Sequence, residues 1–478
     1  MTVARRQPRG LPYLFLTEMW ERFGFYVVQG MLILYLTEAF GFSDDKSFTI
    51  QGVFTALAYI APMIGGLLAD RFLGFKTAII WGGFFLITGY AMLALPWTSV
   101  FYPALATIII GNGLFKPNIS SLLGMLYKPD DPARDSGFTI FYVGINIGVL
   151  LAGFSSGAIK NHFGWHAGFG LASAGLILGL CIFSIGIKLN AIKYKASRLK
   201  RKKFFSPQWL FLYCVLSIGI ISYWLQSSVL GNWLLPIAGI VMLFYLFILA
   251  YRQKPQYRNR LILLNFLILS SIVFWTLFLQ LFMSANLFID RLVNKDILGI
   301  TIPTTAFYAI EGIFVILLGP FLAMSWQVLN QSARNPTPFI KFIIATVIIG
   351  LGFVVLGVST YFTDSAHMVS PWWILLSYFL ITIGEMLLSP IGLSAITILS
   401  PPHLMGMMMG VWFVALGFGG MFAGLLAKLS SVPENVTDVV SQLAIYRVAF
   451  FDYAYLAFGV AVVLFVLQWG LRKILRDS

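Results

Sequence analysis

Long apolar runs recur along almost the whole chain and are separated by short polar stretches. A helix needs about 20 apolar residues to cross the hydrocarbon core of a bilayer. The runs therefore predict an all-α polytopic membrane protein with fourteen transmembrane helices. Their predicted bounds are 11–38, 50–70, 77–96, 101–126, 138–160, 167–188, 207–226, 231–251, 261–284, 304–326, 340–361, 371–399, 404–427 and 451–471.

Composition excludes two classes of protein. Apolar residues make up 59% of the 478 residues, and charged residues make up only 10%. Soluble domains carry about 25% charged residues, and disordered chains have low hydrophobicity. A soluble globular enzyme and a disordered chain are therefore both excluded.

Basic residues outnumber acidic residues by 32 to 18, which gives a net charge of +14. In a soluble protein this excess would suggest binding to nucleic acid. Here Lys and Arg concentrate in alternate loops, on the side of the membrane that also holds both termini. The positive-inside rule makes that side cytoplasmic. We therefore expect both termini in the cytoplasm, membrane lipid as a partner and no nucleic acid.

Two basic clusters, at 193–203 and 252–260, bracket two apolar spans that contain no charged residue. These two spans resemble a hairpin inserted between two six-helix halves. The predicted organisation is an N-terminal six-helix bundle, a segment with basic linkers and the transmembrane hairpin, and a C-terminal six-helix bundle. Their predicted bounds are 1–190, 191–260 and 261–478.

Six charged residues fall inside the predicted spans, where a charge costs about 2.5–3.5 kcal/mol at the bilayer centre. They are Glu18, Glu21, Arg22, Lys116, Glu311 and Glu385. Four acids and two bases cannot all pair one to one, so some carboxylate is neutral at times or open to water. This composition favours a proton-coupled transporter.

The first predicted helix concentrates half of these charges on one face. Glu18, Glu21 and Arg22 have i, i+3, i+4 spacing, which places their side chains together. Two carboxylates and one guanidinium can exchange partners as a proton arrives. The alternative is an inert ion-pair cluster that only fixes helix packing.

Six motifs follow one another along the chain: TEMWERFGFY, GGLLADRFLGFK, GNGLFKPNIS, FYVGINIGVL, GEMLLSPIGLS and LMGMMMGVWF. They resemble signatures of the proton-dependent oligopeptide transporter family, within the major facilitator superfamily. The resemblance covers the whole chain and is closest to bacterial dipeptide and tripeptide permeases. It implies the major facilitator fold, with two six-helix bundles and an inserted two-helix hairpin.

The resemblance also implies a role for each matching residue. Glu18, Glu21, Arg22 and Lys116 would couple protonation to transport; Lys116 would also receive a peptide's carboxylate, and Glu385 its α-amino group. The implied substrate-binding residues are Tyr26, Gln29, Tyr59, Lys116, Asn146, Trp275, Ser284, Glu311, Glu385, Ser389 and Trp412. The implied residues of a conformational loop after the second helix are Asp70, Gly74 and Lys76. For the two tryptophans, plain packing is the alternative, and for Asn146 it is interhelical hydrogen bonding.

The sequence departs from the family pattern at three positions. Gln29 is neutral where many members have an arginine, so we expect no salt bridge with the seventh helix there. Glu311-Gly312 stands where the usual motif reads Asn-Pro, and Phe25 replaces a tyrosine. Glu311 would favour a cationic substrate, serve as an extra proton site, or remain protonated and only pack.

We predict a proton-coupled symporter that imports di- and tripeptides across the bacterial inner membrane by alternating access. A same-family transporter of a non-peptide or peptide-like small molecule is the alternative. The spans contain no HExxH or GxGD motif, so we expect no enzyme activity. The four histidines show no HxxxH spacing, so we expect no metal and no cofactor other than the coupling proton. We expect a functional monomer.

Overall fold

The structure is a computed structural model, and most of the residues that it describes are helical. The described residues are 7–128, 131, 133–193, 207–227, 229–297, 299–331, 336–401 and 403–476. A short antiparallel hairpin joins Asp296–Ile297 (β1) to Ile300–Thr301 (β2).

The helices are numbered in chain order. They are α1 Leu11–Leu34, α2 Asp44–Leu68, α3 Phe75–Leu93, α4 Phe101–Gly124, α5 Ala133–Phe163, α6 Trp165–Lys188, α7 Pro207–Gln226, α8 Leu235–Tyr251, α9 Pro255–Phe278, α10 Ser284–Leu292, α11 Thr304–Gln331, α12 Pro338–Ser359, α13 Pro371–Leu399, α14 Met405–Ala427 and α15 Val439–Arg476. Short π-helical turns extend α1 over Tyr35–Ala39 and α2 over Ala69–Leu73.

Each of the fourteen predicted spans overlaps one of these helices over most of its length, which confirms the all-α polytopic fold. Within the described residues, twelve helices are long and apolar enough to cross a membrane. The set does not include α1, which carries three charged residues, or α7, whose apolar part is the shorter stretch Phe211–Gln226. The apolar runs did not predict α10, because it is a nine-residue amphipathic helix.

By its internal contacts the chain divides into two compact units. Unit 1 comprises Met1–Leu32 and Leu57–Ser227, and unit 2 comprises Ile33–Ala56 and Ser228–Ser478. The end of α1 and the start of α2 therefore belong to unit 2. The three-part domain division at 190 and 260 stays a prediction.

Each unit has its own helix packing. In unit 1, α3 packs against α4 and α6, α7 packs against α4, and α5 packs against α6. In unit 2, α12 packs against α13 and α15, while α9 packs against α8, α13 and α14. The packing of α11 against α13 brings two helices with intramembrane carboxyl groups together.

Glycine permits close helix contacts in both units. A Cβ atom at Gly65 of α2 would overlap the backbone carbonyl of Gly113 in α4. In unit 2, a Cβ atom at Gly52 would lie 3.0 Å from the Cα atom of Gly424 in α14. Small residues are the usual means of close approach in membrane helices, since the surrounding lipid gives no hydrophobic drive for association.

Candidate functional site

The charged face of α1 forms a buried ion cluster in unit 1. Arg22 binds Glu21 through two bonds, with Nε 2.5 Å from Oε2 and Nη2 2.6 Å from Oε1. Glu18 Oε1 lies 3.5 Å from the same Nε. All three side chains are buried, and Glu18 Oε2 has no hydrogen-bond partner in the structure. The predicted grouping on one helix face is therefore present, with Glu21 as the principal partner of Arg22.

Asn112 links this cluster to two other helices. Arg22 Nη2 donates to Asn112 Oδ1 at 3.1 Å, and Asn112 Nδ2 donates to the carbonyl oxygen of Ala58 at 2.6 Å. Asn112 was not among the predicted site residues. It lies four residues before Lys116 in α4, so both side chains share one helix face, and this spacing was the available signal.

Lys116 lies beside the cluster without a bonded carboxylate. Its Nζ atom is 4.5 Å from the ring centroid of Tyr59, and it is near enough to interact electrostatically with Glu18, Glu21 and Arg22. In the described part of the chain, no carboxylate oxygen lies within 4.0 Å of it. A half-buried ammonium group held against an aromatic ring is a suitable site for an anionic ligand group.

Aromatic rings connect the arginine and the lysine. Arg22 Cζ lies 4.9 Å from the Phe25 centroid, and Phe25 contacts Tyr59 edge to face at 6.2 Å. Tyr26 also contacts Phe25 edge to face, at 5.6 Å between ring centroids. Phe25, which replaces a tyrosine of the usual motif, therefore packs between Arg22 and Tyr59 and adds an apolar ring beside the guanidinium group.

The other predicted residues of unit 1 lie in α1, in α5 and around the junction of α2 and α3. Gln29 is buried in α1 two turns beyond Arg22. Asn146 donates to the carbonyl oxygen of Tyr142 in its own helix, at 3.0 Å. Gly74 has a φ of 78° and connects the end of α2 to α3, while Asp70 is exposed and Lys76 is half-buried. Of these last three residues, Asp70 lies in the π-helical turn that extends α2, Lys76 lies in the first turn of α3, and Gly74 lies between them.

In unit 2, the two intramembrane carboxyl groups meet. The side chains of Glu311 on α11 and Glu385 on α13 are hydrogen-bonded to each other. Both residues are half-buried, and Glu385 Oε2 has no hydrogen-bond partner in the structure. The sequence indicated a carboxyl group at each position, but their direct contact depends on how α11 packs against α13.

The two predicted tryptophans, Trp275 and Trp412, are both buried in unit 2. The indole of Trp412 lies directly on α13, where a Cβ atom at Gly392 would overlap it. Trp275 is 8% exposed and contacts Phe278 edge to face at 5.3 Å. Its Nε1 atom is buried and makes no hydrogen bond in the structure, so it is an available donor.

The two predicted serines differ in their availability. Ser389 lies one helical turn after Glu385 and is half-buried, which leaves it accessible. Ser284 is fully buried at the start of α10, where its Oγ atom donates to Gln280 Oε1 at 2.6 Å. Ser284 is therefore engaged with the short 3-10 turn Leu279–Phe282 that connects α9 to α10.

Comparisons with known proteins decide the family. A family model described as the POT family matches residues 76–445. Dipeptide and tripeptide permease B of Salmonella typhimurium is 33% identical over 475 residues, which is 98% of this chain and 97% of the relative. The chain belongs to the POT family. Another relative, dipeptide and tripeptide permease A of Cronobacter turicensis, is 35% identical over 97% of this chain and 93% of its own length.

Solved structures agree with this POT assignment. A crystal structure of a peptide transporter POT in complex with sulfate is 30% identical, covers 97% of this chain and 94% of its own, and has a TM-score of 0.82. Tetrameric PepTSo2 is 26% identical, covers 97% of this chain and 99% of its own, and has a TM-score of 0.85. This POT-family chain is therefore a multi-pass membrane protein with the major facilitator fold.

Proposed function

We propose that this chain is a proton-coupled symporter that imports di- and tripeptides across the bacterial inner membrane by alternating access. The observation that carries the proposal is the buried cluster of Glu18, Glu21 and Arg22 beside Lys116, whose ammonium group has no carboxylate oxygen within 4.0 Å among the described residues. Buried ionisable groups are costly in a membrane and mark proton and substrate pathways. The relatives named as dipeptide and tripeptide permeases support the substrate class.

The contacts around Arg22 provide a route from protonation to substrate binding. A proton on a glutamate of the cluster removes one negative charge and loosens the hold on the guanidinium group. Arg22 also binds Asn112, and Asn112 shares a helix face with Lys116. A shift of Arg22 therefore changes both the position of α4 and the field at the ammonium group that receives the ligand.

The two ends of a peptide need opposite charges. In the proposal, Lys116 receives the terminal carboxylate and Glu385 receives the α-ammonium group, as the resemblance implies. Tyr59, Trp275 and Trp412 provide uncharged contact surface for variable side chains, because aromatic walls with a few placed polar groups suit small ligands. The proposal requires no metal and no cofactor other than the proton.

The membrane arrangement completes the proposal. Lys and Arg concentrate in the loops on the side of both termini, so we assign these termini to the cytoplasm. We also propose that one chain is sufficient for transport, because the residues assigned to both peptide ends and to the proton come from a single chain.

Proton-driven uptake is the direct test. Purified protein in proteoliposomes should accumulate labelled Ala-Ala under an inward proton gradient. One charge moving through 100 mV supplies about 2.3 kcal/mol, which corresponds to roughly 50-fold accumulation. Glu21→Gln should abolish accumulation. Undiminished accumulation after collapse of both the pH gradient and the potential would refute the proposal.

A transporter of a peptide-like small molecule is the second candidate. The neutral Gln29 and the additional carboxyl group of Glu311 give this chain a site charge unlike the usual family pattern. Competition separates the two candidates. If peptides are the substrate, unlabelled Ala-Ala should inhibit uptake of a labelled tripeptide. If the labelled tripeptide is not taken up, or no unlabelled peptide inhibits its uptake, the second candidate is favoured.

A further inference from the structure

The contact between Glu311 and Glu385 is an unusual pairing inside the membrane. Their helices pack directly against each other, and their carboxyl groups share a hydrogen bond. Two ionised carboxylates can accept hydrogen bonds but cannot donate them. A hydrogen bond between the two groups therefore requires a proton on one of them. The geometry is therefore that of a carboxyl pair that holds one proton.

No neighbouring cation replaces this proton. In the described part of the chain, no Lys or Arg nitrogen lies within 4.0 Å of either carboxyl group. The helices that pack most closely against α11 and α13 in the described part of the chain are α9, α10, α12 and α14, and α14 carries no titratable residue. The titratable or charged residues of the others, and of α11 and α13 themselves, are Tyr257, Arg258, Arg260, Asp290, Arg291, Lys341, Tyr308 and Tyr378. None of these forms an ion pair with Glu311 or Glu385.

We propose that Glu311 and Glu385 form a second proton-binding site, at which one shared proton and the ammonium group of a bound peptide compete. This inference rests on the proposed function, which assigns the peptide's ammonium group to Glu385. Glu385 Oε2 supports it, because this oxygen has no hydrogen-bond partner among the described residues and can accept from an incoming ammonium group.

The proton balance at this site is simple. Before binding, the pair carries one proton and one negative charge. The ammonium group adds a positive charge beside Glu385 and stabilises the form in which both carboxylates are ionised. The shared proton then leaves Glu311 for water. Linkage makes the effect reciprocal, so a lower pH weakens ammonium binding at this pair.

Glu311 makes this site particular to chains with the same residue. The usual motif has asparagine at this position, and an asparagine side chain cannot hold a proton that it exchanges with Glu385. Of the alternatives that the sequence left open for Glu311, the observed hydrogen bond favours the extra proton site over selection of a cationic side chain.

The test is the number of protons released when Ala-Ala binds. Calorimetric titrations of the full chain at pH 7, in buffers of different ionisation enthalpy, give this number directly. Glu311→Gln should release up to about one proton fewer per peptide than the wild type. The control variant Glu434→Gln removes an exposed loop carboxylate and should match the wild type. Equal proton release in the wild type and Glu311→Gln would overturn the inference.

A failure of the proposed function gives a different result. If Ala-Ala does not bind the wild type at all, the proposed function is wrong and this inference is wrong with it. If Ala-Ala binds with unchanged proton release in Glu311→Gln, only the inference is wrong.

A second measurement covers the case in which Glu311→Gln does not fold. Infrared difference spectra of a variant with both Glu18→Gln and Glu21→Gln should show loss of a protonated-carboxyl band when Ala-Ala binds, because of the four intramembrane glutamates this variant keeps the Glu311 and Glu385 pair. Absence of that loss would also overturn the inference.

Discussion

Arg291 binds Asp44 through two parallel hydrogen bonds, from Nη1 to Oδ2 at 2.8 Å and from Nη2 to Oδ1 at 2.7 Å. Asp44 is the first residue of α2, and Arg291 lies in the last turn of α10. Asp44 Oδ2 also accepts the backbone N–H of Val432 at 3.0 Å. One buried carboxylate therefore joins three segments of unit 2 that are far apart in the sequence.

Asp44→Asn should lower the thermal stability of the purified protein. Loss of one partner leaves the other charge poorly compensated, at a cost of 3–5 kcal/mol for a fully buried pair. Because 27% of the Arg291 side chain is exposed, we expect a smaller loss of about 2 kcal/mol. A fluorescence-based thermal melt in detergent measures the shift.

Asp45→Asn is the matched control for this prediction. Asp45 also forms an ion pair, with Lys428 at 3.2 Å, but 60% of the Asp45 side chain is exposed. Exposed pairs contribute about 0–1 kcal/mol, so Asp45→Asn should leave the melting temperature nearly unchanged. Equal shifts for the two variants would show that the Asp44 pair contributes no more than an exposed one.

The helices were predictable from sequence because length and apolar content alone decide whether a segment can span a bilayer. The contact between Asp44 and Arg291 was not, because these residues are 247 positions apart and no local spacing relates them. The helix α10 was not predictable either, because it is too short to give an apolar run. Its place depends on packing after the chain turns at Met283.

The candidate site shows the same division between local and tertiary information. Glu18, Glu21 and Arg22 could be grouped from sequence because helical periodicity places them on one face. Asn112 could not be assigned to Arg22, and Glu311 could not be paired with Glu385, because each contact requires the relative position of two helices.

Gly65→Ala should destabilise unit 1. The added methyl group would overlap the carbonyl of Gly113, so α2 and α4 would have to separate. Overpacking of this kind costs about 1–3 kcal/mol. Gly66→Ala is the control, because its Cβ atom would lie 3.6 Å from Pro117, at ordinary contact distance. Thermal melts of the two variants give the comparison, and a similar loss in both would contradict the assigned close approach.

Asn112→Ala should impair proton coupling. The variant removes a hydrogen bond to the charged Arg22, which is worth about 1.5–3 kcal/mol, and so weakens the link between the cluster and α4. We expect at least a roughly tenfold loss of proton-driven accumulation of Ala-Ala. Counterflow exchange, which needs no net proton movement, should be affected less.

Asn118→Ala is the control for Asn112→Ala. Asn118 is also buried in α4, and its Nδ2 atom donates to the carbonyl oxygen of Leu114 at 2.7 Å. This variant tests the loss of a buried α4 asparagine without loss of a bond to Arg22. A parallel decline of accumulation and counterflow in both variants would mean that Asn112 acts only through stability.

Lys116 and Glu385 should each recognise one end of a peptide, and paired variants separate the two contributions. In competition binding to purified protein, Lys116→Gln should weaken Ala-Ala far more than its C-terminal amide. Glu385→Gln should weaken Ala-Ala far more than its N-acetylated form. Each variant loses a charge-assisted hydrogen bond worth about 1.5–3 kcal/mol, so the affected peptide should bind roughly 10- to 150-fold less tightly. Blocking the end that a residue recognises removes the same interaction, so variant and wild type should then bind the blocked peptide almost equally. If both variants weaken blocked and unblocked peptides by the same factor, neither residue reads a peptide terminus and the assigned orientation of the substrate is wrong.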